Sequence, residues 1–147
     1  MSDDFEQQLV TAYRRTRASD QLEDHSRRLR KTRQLLLNHP PPPEPGAHVL
    51  VVQSEAAPYW LSLHNGTTVG RSDDAAIKVS GKWVSGVHCC FEADGTDWVV
   101  VDQDSTNGLQ VNGNPRARHI LSEGDAIQVG SCLMIFLQVR ESETKVD

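Results

Sequence analysis

The sequence predicts an all-β fold, an antiparallel β-sandwich over residues 48–140, preceded by an N-terminal arm that is α-helical or partly disordered. Three observations carry this. Nine short β-like runs follow one another between His48 and Val139. Asn65-Gly66, Asp94-Gly95, Asn107-Gly108 and Asn112-Gly113 stand between them as tight-turn signals. The run Pro40-Pro41-Pro42-Pro43-Glu44-Pro45-Gly46 separates this texture from a first segment that lacks both Gly and Pro. Many short strands punctuated by turns indicate a sandwich or barrel.

The arm, residues 1–39, is rich in Arg, Gln, Leu, Glu and Ala, which favour helix. Phe5, Leu9 and Tyr13 recur at i, i+4 spacing, and Leu22, Leu29 and Leu35-Leu36-Leu37 continue a sparse apolar stripe. Ser19 or Asp20 is placed to cap a second helix. The arm has three readings. It is a solvated helix or tail, or a helix that self-associates or pairs with a larger partner through its stripe. Alternatively, it carries a phosphorylatable threonine (Thr11, Thr16 or Thr32) that docks into the protein's own sandwich. The Pro-rich stretch, residues 40–47, reads as an extended polyproline II linker. Residues 141–147 form a polar tail.

Within the sandwich the expected strands are 48–53, 59–63, 67–69, 76–79, 87–93, 98–102, 109–111, 126–129 and 133–139. Some 90 residues suffice for a core of their own, roughly the size of common sandwiches.

Composition excludes several function classes. The formal charge of −5 argues against nucleic acid as the main partner. No apolar run approaches the roughly 20 residues of a membrane helix. The start, Met1-Ser2-Asp3-Asp4, is acidic and has no apolar core, so no secretory signal is expected and a cytoplasmic location is. The three cysteines, Cys89, Cys90 and Cys132, show no C-x-x-C spacing. His88, Cys89 and Cys90 alternate across a strand and do not converge on one metal ion, so buried free thiols are expected. No nucleophile–base pair and no Gly-rich loop opening a helix suggests an enzyme, and no cofactor is implied.

What remains is polar chemistry at strand ends: Gly70-Arg71, Ser85-Gly86-Val87-His88, Asp104-Ser105-Thr106-Asn107-Gly108 and Gly124-Asp125. A phosphorylated residue carries about −1.5 to −2 charge and three strong acceptor oxygens, so its pocket needs fixed cationic and hydroxyl donors. Arg71, Ser85 and Thr106 are the donor types required, and Lys82 adds a second cation in the loop before Ser85. Trp83 is either a wall facing a bound peptide or part of the core.

In order and spacing these motifs resemble the forkhead-associated (FHA) family, β-sandwiches that bind phosphothreonine peptides. The resemblance covers residues 48–139 and implies a module that recruits or regulates a phosphorylated partner in Ser/Thr kinase signalling. It implies that Arg71, Ser85 and Thr106 bind phosphate and that Asn107 bonds the target's main chain. Gly70, His88 and Gly108 would support the site, with His88 bracing its loop. The family usually carries a larger polar residue directly after the serine, where this chain has Gly86. Other members serve only as phosphate-independent assembly scaffolds, and a pocket closed by its own arm is a further alternative.

Overall fold

The computed structural model describes residues 19–54 and 56–140, with side chains from residue 25 onward. Phe5, Leu9, Thr11, Tyr13, Thr16, the side chain of Leu22 and the tail 141–147 lie outside these. The chain divides into two compact units, Met1–Leu37 and Asn38–Asp147. No described helix is long and apolar enough to cross a membrane.

Helix α1, Ser19–Asn38, occupies the segment without Gly or Pro and ends where Pro40 disfavours helical backbone in the residue before it. Of its side chains, Leu29 and Leu37 are exposed and Thr32 is buried. The Pro-rich stretch is held at both ends within its own unit. The Trp60 indole N–H donates to the His39 carbonyl at 3.2 Å, and His48 Nε2 lies 2.9 Å from the Glu44 carbonyl oxygen. The other His48 nitrogen, Nδ1, meets the Ser62 hydroxyl at 3.1 Å.

Eleven strands follow: β1 Gly46–Val52, β2 Tyr59–Ser62, β3 Thr67–Gly70, β4 Ile77–Lys78, β5 Cys89–Asp94, β6 Asp97–Asp102, β7 Leu109–Val111, β8 Asn114–Arg116, β9 Arg118–Ile120, β10 Ala126–Val129 and β11 Cys132–Val139. They form one sheet in the order β2-β1-β11-β10-β7-β8 and another in the order β4-β3-β5-β6-β9. Alternation places Ala47, Val49 and Val51 of β1 with Met134 and Phe136 of β11 in the core. Val69, Ile77, Cys89, Phe91 and Val100 enter the same core from the other sheet.

All nine expected strands are present, and two more occur. Strands β8 and β9 are short, largely exposed and edge-placed, so neither carries an apolar alternation. Pro115 is tolerated in β8 because an edge strand leaves some N–H groups outside the ladder. Asn112 and Gly113, both at positive φ (53° and 83°), form the two-residue turn that starts β8. The sandwich is also not wholly antiparallel. Strands β3 and β4 pair in parallel, Val69 opposite Ile77, because the intervening turn is closed on itself. In that turn the Ala75 amide donates to the Ser72 carbonyl at 3.0 Å and the Ala76 amide to Thr68 Oγ1 at 3.1 Å.

The three thiols are buried and free. Burial pushes the Cys90 thiol up to about 11 and that of Cys132 to about 12, and raises Cys89 furthest. Thiolate is the reactive form, so at pH 8 the native protein is expected to resist thiol-specific labelling. Reaction should accelerate with denaturant; rapid labelling of all three in the native state would contradict this packing.

Candidate functional site

The end of β3 and two loops meet at one edge of the second sheet. Three backbone hydrogen bonds fasten the loop 85–88 to β3: the Arg71 amide to the Ser85 carbonyl (3.0 Å), Ser72 to Gly86 (3.0 Å) and His88 to Val69 (2.7 Å). Gly70 makes this approach possible. A Cβ built there would stand 2.0 Å from the Gly86 carbonyl oxygen, so only hydrogen fits.

His88 joins this loop to the next. It is fully buried, and its Nδ1 accepts the Ser85 amide at 3.1 Å, which requires Nε2 to carry the proton. That Nε2–H donates to the Gly108 carbonyl at 2.6 Å. A His88→Ala variant would leave an amide and a carbonyl unpaired beside a cavity. We expect a loss of about 2–4 kcal/mol in urea unfolding, together with weaker ligand binding.

The loop 103–108 has its own brace. Asp102 accepts the Ser105 amide at 3.1 Å and also the Ser105 hydroxyl, while Ser105 Oγ accepts the Gly108 amide at 2.9 Å. Asp104 takes φ 56° and Gly108 φ 74° to make the turn. Asp102 and Ser105 are thus positioning residues that sequence reading missed as a pair. The signal was available: a carboxylate at a strand end, three residues before a serine, is poised to close a local turn.

Across the gap between the loops, Ser85 Oγ accepts the Thr106 amide at 3.2 Å. An accepting hydroxyl keeps its own proton free to donate. Asn107 Nδ2 donates to the Trp83 carbonyl at 2.9 Å, leaving its Oδ1 open. Ser85, Thr106 and Asn107 therefore stand on one connected rim, with Arg71 joined to it through its amide. Thr106 and Asn107 are exposed, and Ser85 is half-buried.

The charges divide clearly. Arg71 is exposed, and its guanidinium makes no hydrogen bond or ion pair among the described residues. Lys78 pairs with Asp73 and, by hydrogen bond and charge, holds that carboxyl below its usual range. Lys82 stacks its ammonium over the Trp83 ring, 5.1 Å from the centroid. Trp83 is 62% exposed and so is not a core residue.

Gly124-Asp125 belongs elsewhere. Asp125 accepts Asn112 Nδ2 (2.9 Å), the Ser122 amide (2.8 Å) and contacts His119 Nε2 (3.0 Å), a largely buried knot that fixes the β9–β10 and β7–β8 turns. Among the described residues no group of three or more His, Cys, Asp and Glu is placed to hold a metal ion.

The family model described as FHA domain matches residues 67–130, which span every element of this rim. The oxoglutarate dehydrogenase inhibitor of Corynebacterium diphtheriae is 35% identical over 98 residues, covering 65% of this chain and 68% of that protein. The glycogen accumulation regulator GarA of Mycolicibacterium smegmatis is 33% identical over 100 residues, covering 67% of this chain and 63% of its own length. The chain thus spans about two thirds of the curated relatives it matches. A structure solved in an analysis of phosphothreonine-dependent FHA domain interactions superposes with a TM-score of 0.55 and 28% identity, over 62% of this chain and 96% of that one. The chain belongs to the FHA domain family.

Proposed function

We propose that this chain is a phosphothreonine reader that recruits or regulates a phosphorylated partner in Ser/Thr kinase signalling, and that it does so in the cytoplasm without being an enzyme. The observation that carries this reading is the uncommitted Arg71 guanidinium beside a rim whose Ser85 hydroxyl proton is free. Arg71 supplies the charge, Ser85 and Thr106 fix phosphate oxygens, and Asn107 offers Oδ1 to the target's main chain. Gly70, His88 and Gly108 hold the two loops at the separation this needs. Lys82, drawn onto the Trp83 ring, adds long-range attraction more than a direct contact. The regulators among its relatives support the role of a binding module acting on a partner.

Calorimetric titration with a phosphothreonine peptide and its unphosphorylated twin tests the reading. Binding of the first alone supports it, and equal binding of both would overturn it.

A phosphate-independent scaffold is favoured by one observation, the lack of a side chain at Gly86. A Cβ there would meet nothing within 4 Å, so the loop has room for the polar residue that the family resemblance leads one to expect. In a phosphate reader, Gly86→Asn should tighten phosphopeptide binding by about 0.5–1.5 kcal/mol, the worth of one added hydrogen bond. In a scaffold it should change nothing measurable by the same titration.

A further inference from the structure

Among the described residues of the unit 38–147, four large hydrophobic side chains are exposed, and two of them, Trp83 and Val87, flank Ser85. Trp83 is 62% exposed and Val87 48%. Exposed apolar side chains that stand singly need no explanation, but a pair on either side of a binding serine does. Trp83 is held in place from three directions. Its carbonyl accepts the Asn107 amide group at 2.9 Å, its ring carries the Lys82 ammonium at 5.1 Å, and the buried Val84 anchors the next residue in the core. Its indole N–H has no partner among the described residues.

A fixed aromatic ring with an open N–H is suited to an apolar side chain and the peptide carbonyl beside it. Nothing acidic from this chain pairs with Lys82 among the described residues, so the ammonium is spent on the ring. An extended peptide advances about 3.3 Å per residue, so a ring tied through its own carbonyl to Asn107 reaches target positions within about three residues of the phosphothreonine.

We infer that Trp83, with Val87, is the specificity-determining surface of this chain: it selects targets carrying a large apolar residue close to the phosphothreonine. This rests on the phosphothreonine reading and names the class of peptide that the same site takes. The bound side chain covers the Trp83 ring, while Asn107 holds the main chain and Arg71 the phosphate.

The test is a positional series of phosphothreonine peptides, with Leu, Ser, Asp or Lys placed in turn at each of the three positions on either side of the phosphothreonine in a serine background. Each is titrated into the full chain and into the variants Trp83→Ala and Trp83→Phe. We expect one position at which Leu binds about tenfold tighter than Ser. That ratio should fall to about one in Trp83→Ala and largely survive in Trp83→Phe. Equal binding of Leu and Ser everywhere would overturn the inference and leave the phosphate reading standing. So would a preference for Asp, which would make Lys82 the selecting group, or for Lys, which would assign selection to the carboxylates of Asp73, Asp74 and Asp104. A Leu preference that persists in Trp83→Ala would overturn it too. Failure of every phosphothreonine peptide to bind would overturn the phosphate reading and this inference together.

Discussion

Replacing Arg71 with alanine is expected to abolish phosphopeptide binding while leaving the fold intact. The guanidinium is exposed and bonds to nothing in the described structure, so its removal breaks no internal contact. The backbone of residue 71 keeps its bond to the Ser85 carbonyl, and the loop keeps its shape. What is lost is a charge-assisted contact to a doubly charged ligand, about 1.5–3 kcal/mol, or more than about a tenfold weakening. Thermal unfolding should match that of the unmodified chain. A Lys in place of Arg71 should recover only part of the affinity, because a point charge cannot make the paired contact of a guanidinium. An Arg71→Ala protein that binds as tightly as the parent would remove the basis of the site assignment.

The second large effect is expected at Gly70, for the opposite reason. A methyl group there collides with backbone: the Gly86 carbonyl oxygen at 2.0 Å, its carbon at 2.8 Å and the Val87 Cα at 3.0 Å. Rotating a side chain relieves none of these contacts. The loop 85–88 must move away, and its three bonds to Val69, Arg71 and Ser72 go with it. Overpacking and lost hydrogen bonds together should cost about 3 kcal/mol or more in Gly70→Ala. For a domain of this size that lowers Tm by more than about 12 °C. Binding should fall as well, since Ser85 moves with the loop. Gly86→Ala is the matched control: its Cβ has open space, and stability should stay within about 0.5 kcal/mol of the parent. Equal melting curves for Gly70→Ala and the parent would refute the close approach.

Much of this was legible in the sequence. The nine apolar runs declared themselves because each buries alternate residues, and the turns because Asn-Gly and Asp-Gly favour positive φ. Strands β8 and β9 left no such trace: Asn114-Pro115-Arg116 and Arg118-His119-Ile120 bury little, and it is their position at the sheet edges that makes them strands. The parallel pairing of β3 with β4 depends on the turn 71–76 closing through Ser72 and Thr68, which no periodicity encodes.

At the site, the residue types and their strand-end spacing were readable, whereas the contacts between loops were not. Gly70 looked like half of a Gly-Arg pair, but its role is set by a carbonyl 16 positions further along the chain. Lys82 read as a second cation for phosphate, and only the folded loop shows its ammonium resting on Trp83. Asp102 read as part of an acidic surface for basic targets, but its carboxylate is occupied by Ser105.

The most direct test of the central claim is calorimetric titration of the full chain with three peptides of one sequence, carrying phosphothreonine, phosphoserine or unmodified threonine. If the rim of Arg71, Ser85, Thr106 and Asn107 reads phosphothreonine, the first binds, the second binds more weakly and the third does not bind. Equal affinity for all three, or none for any by a fully folded protein, would contradict the account.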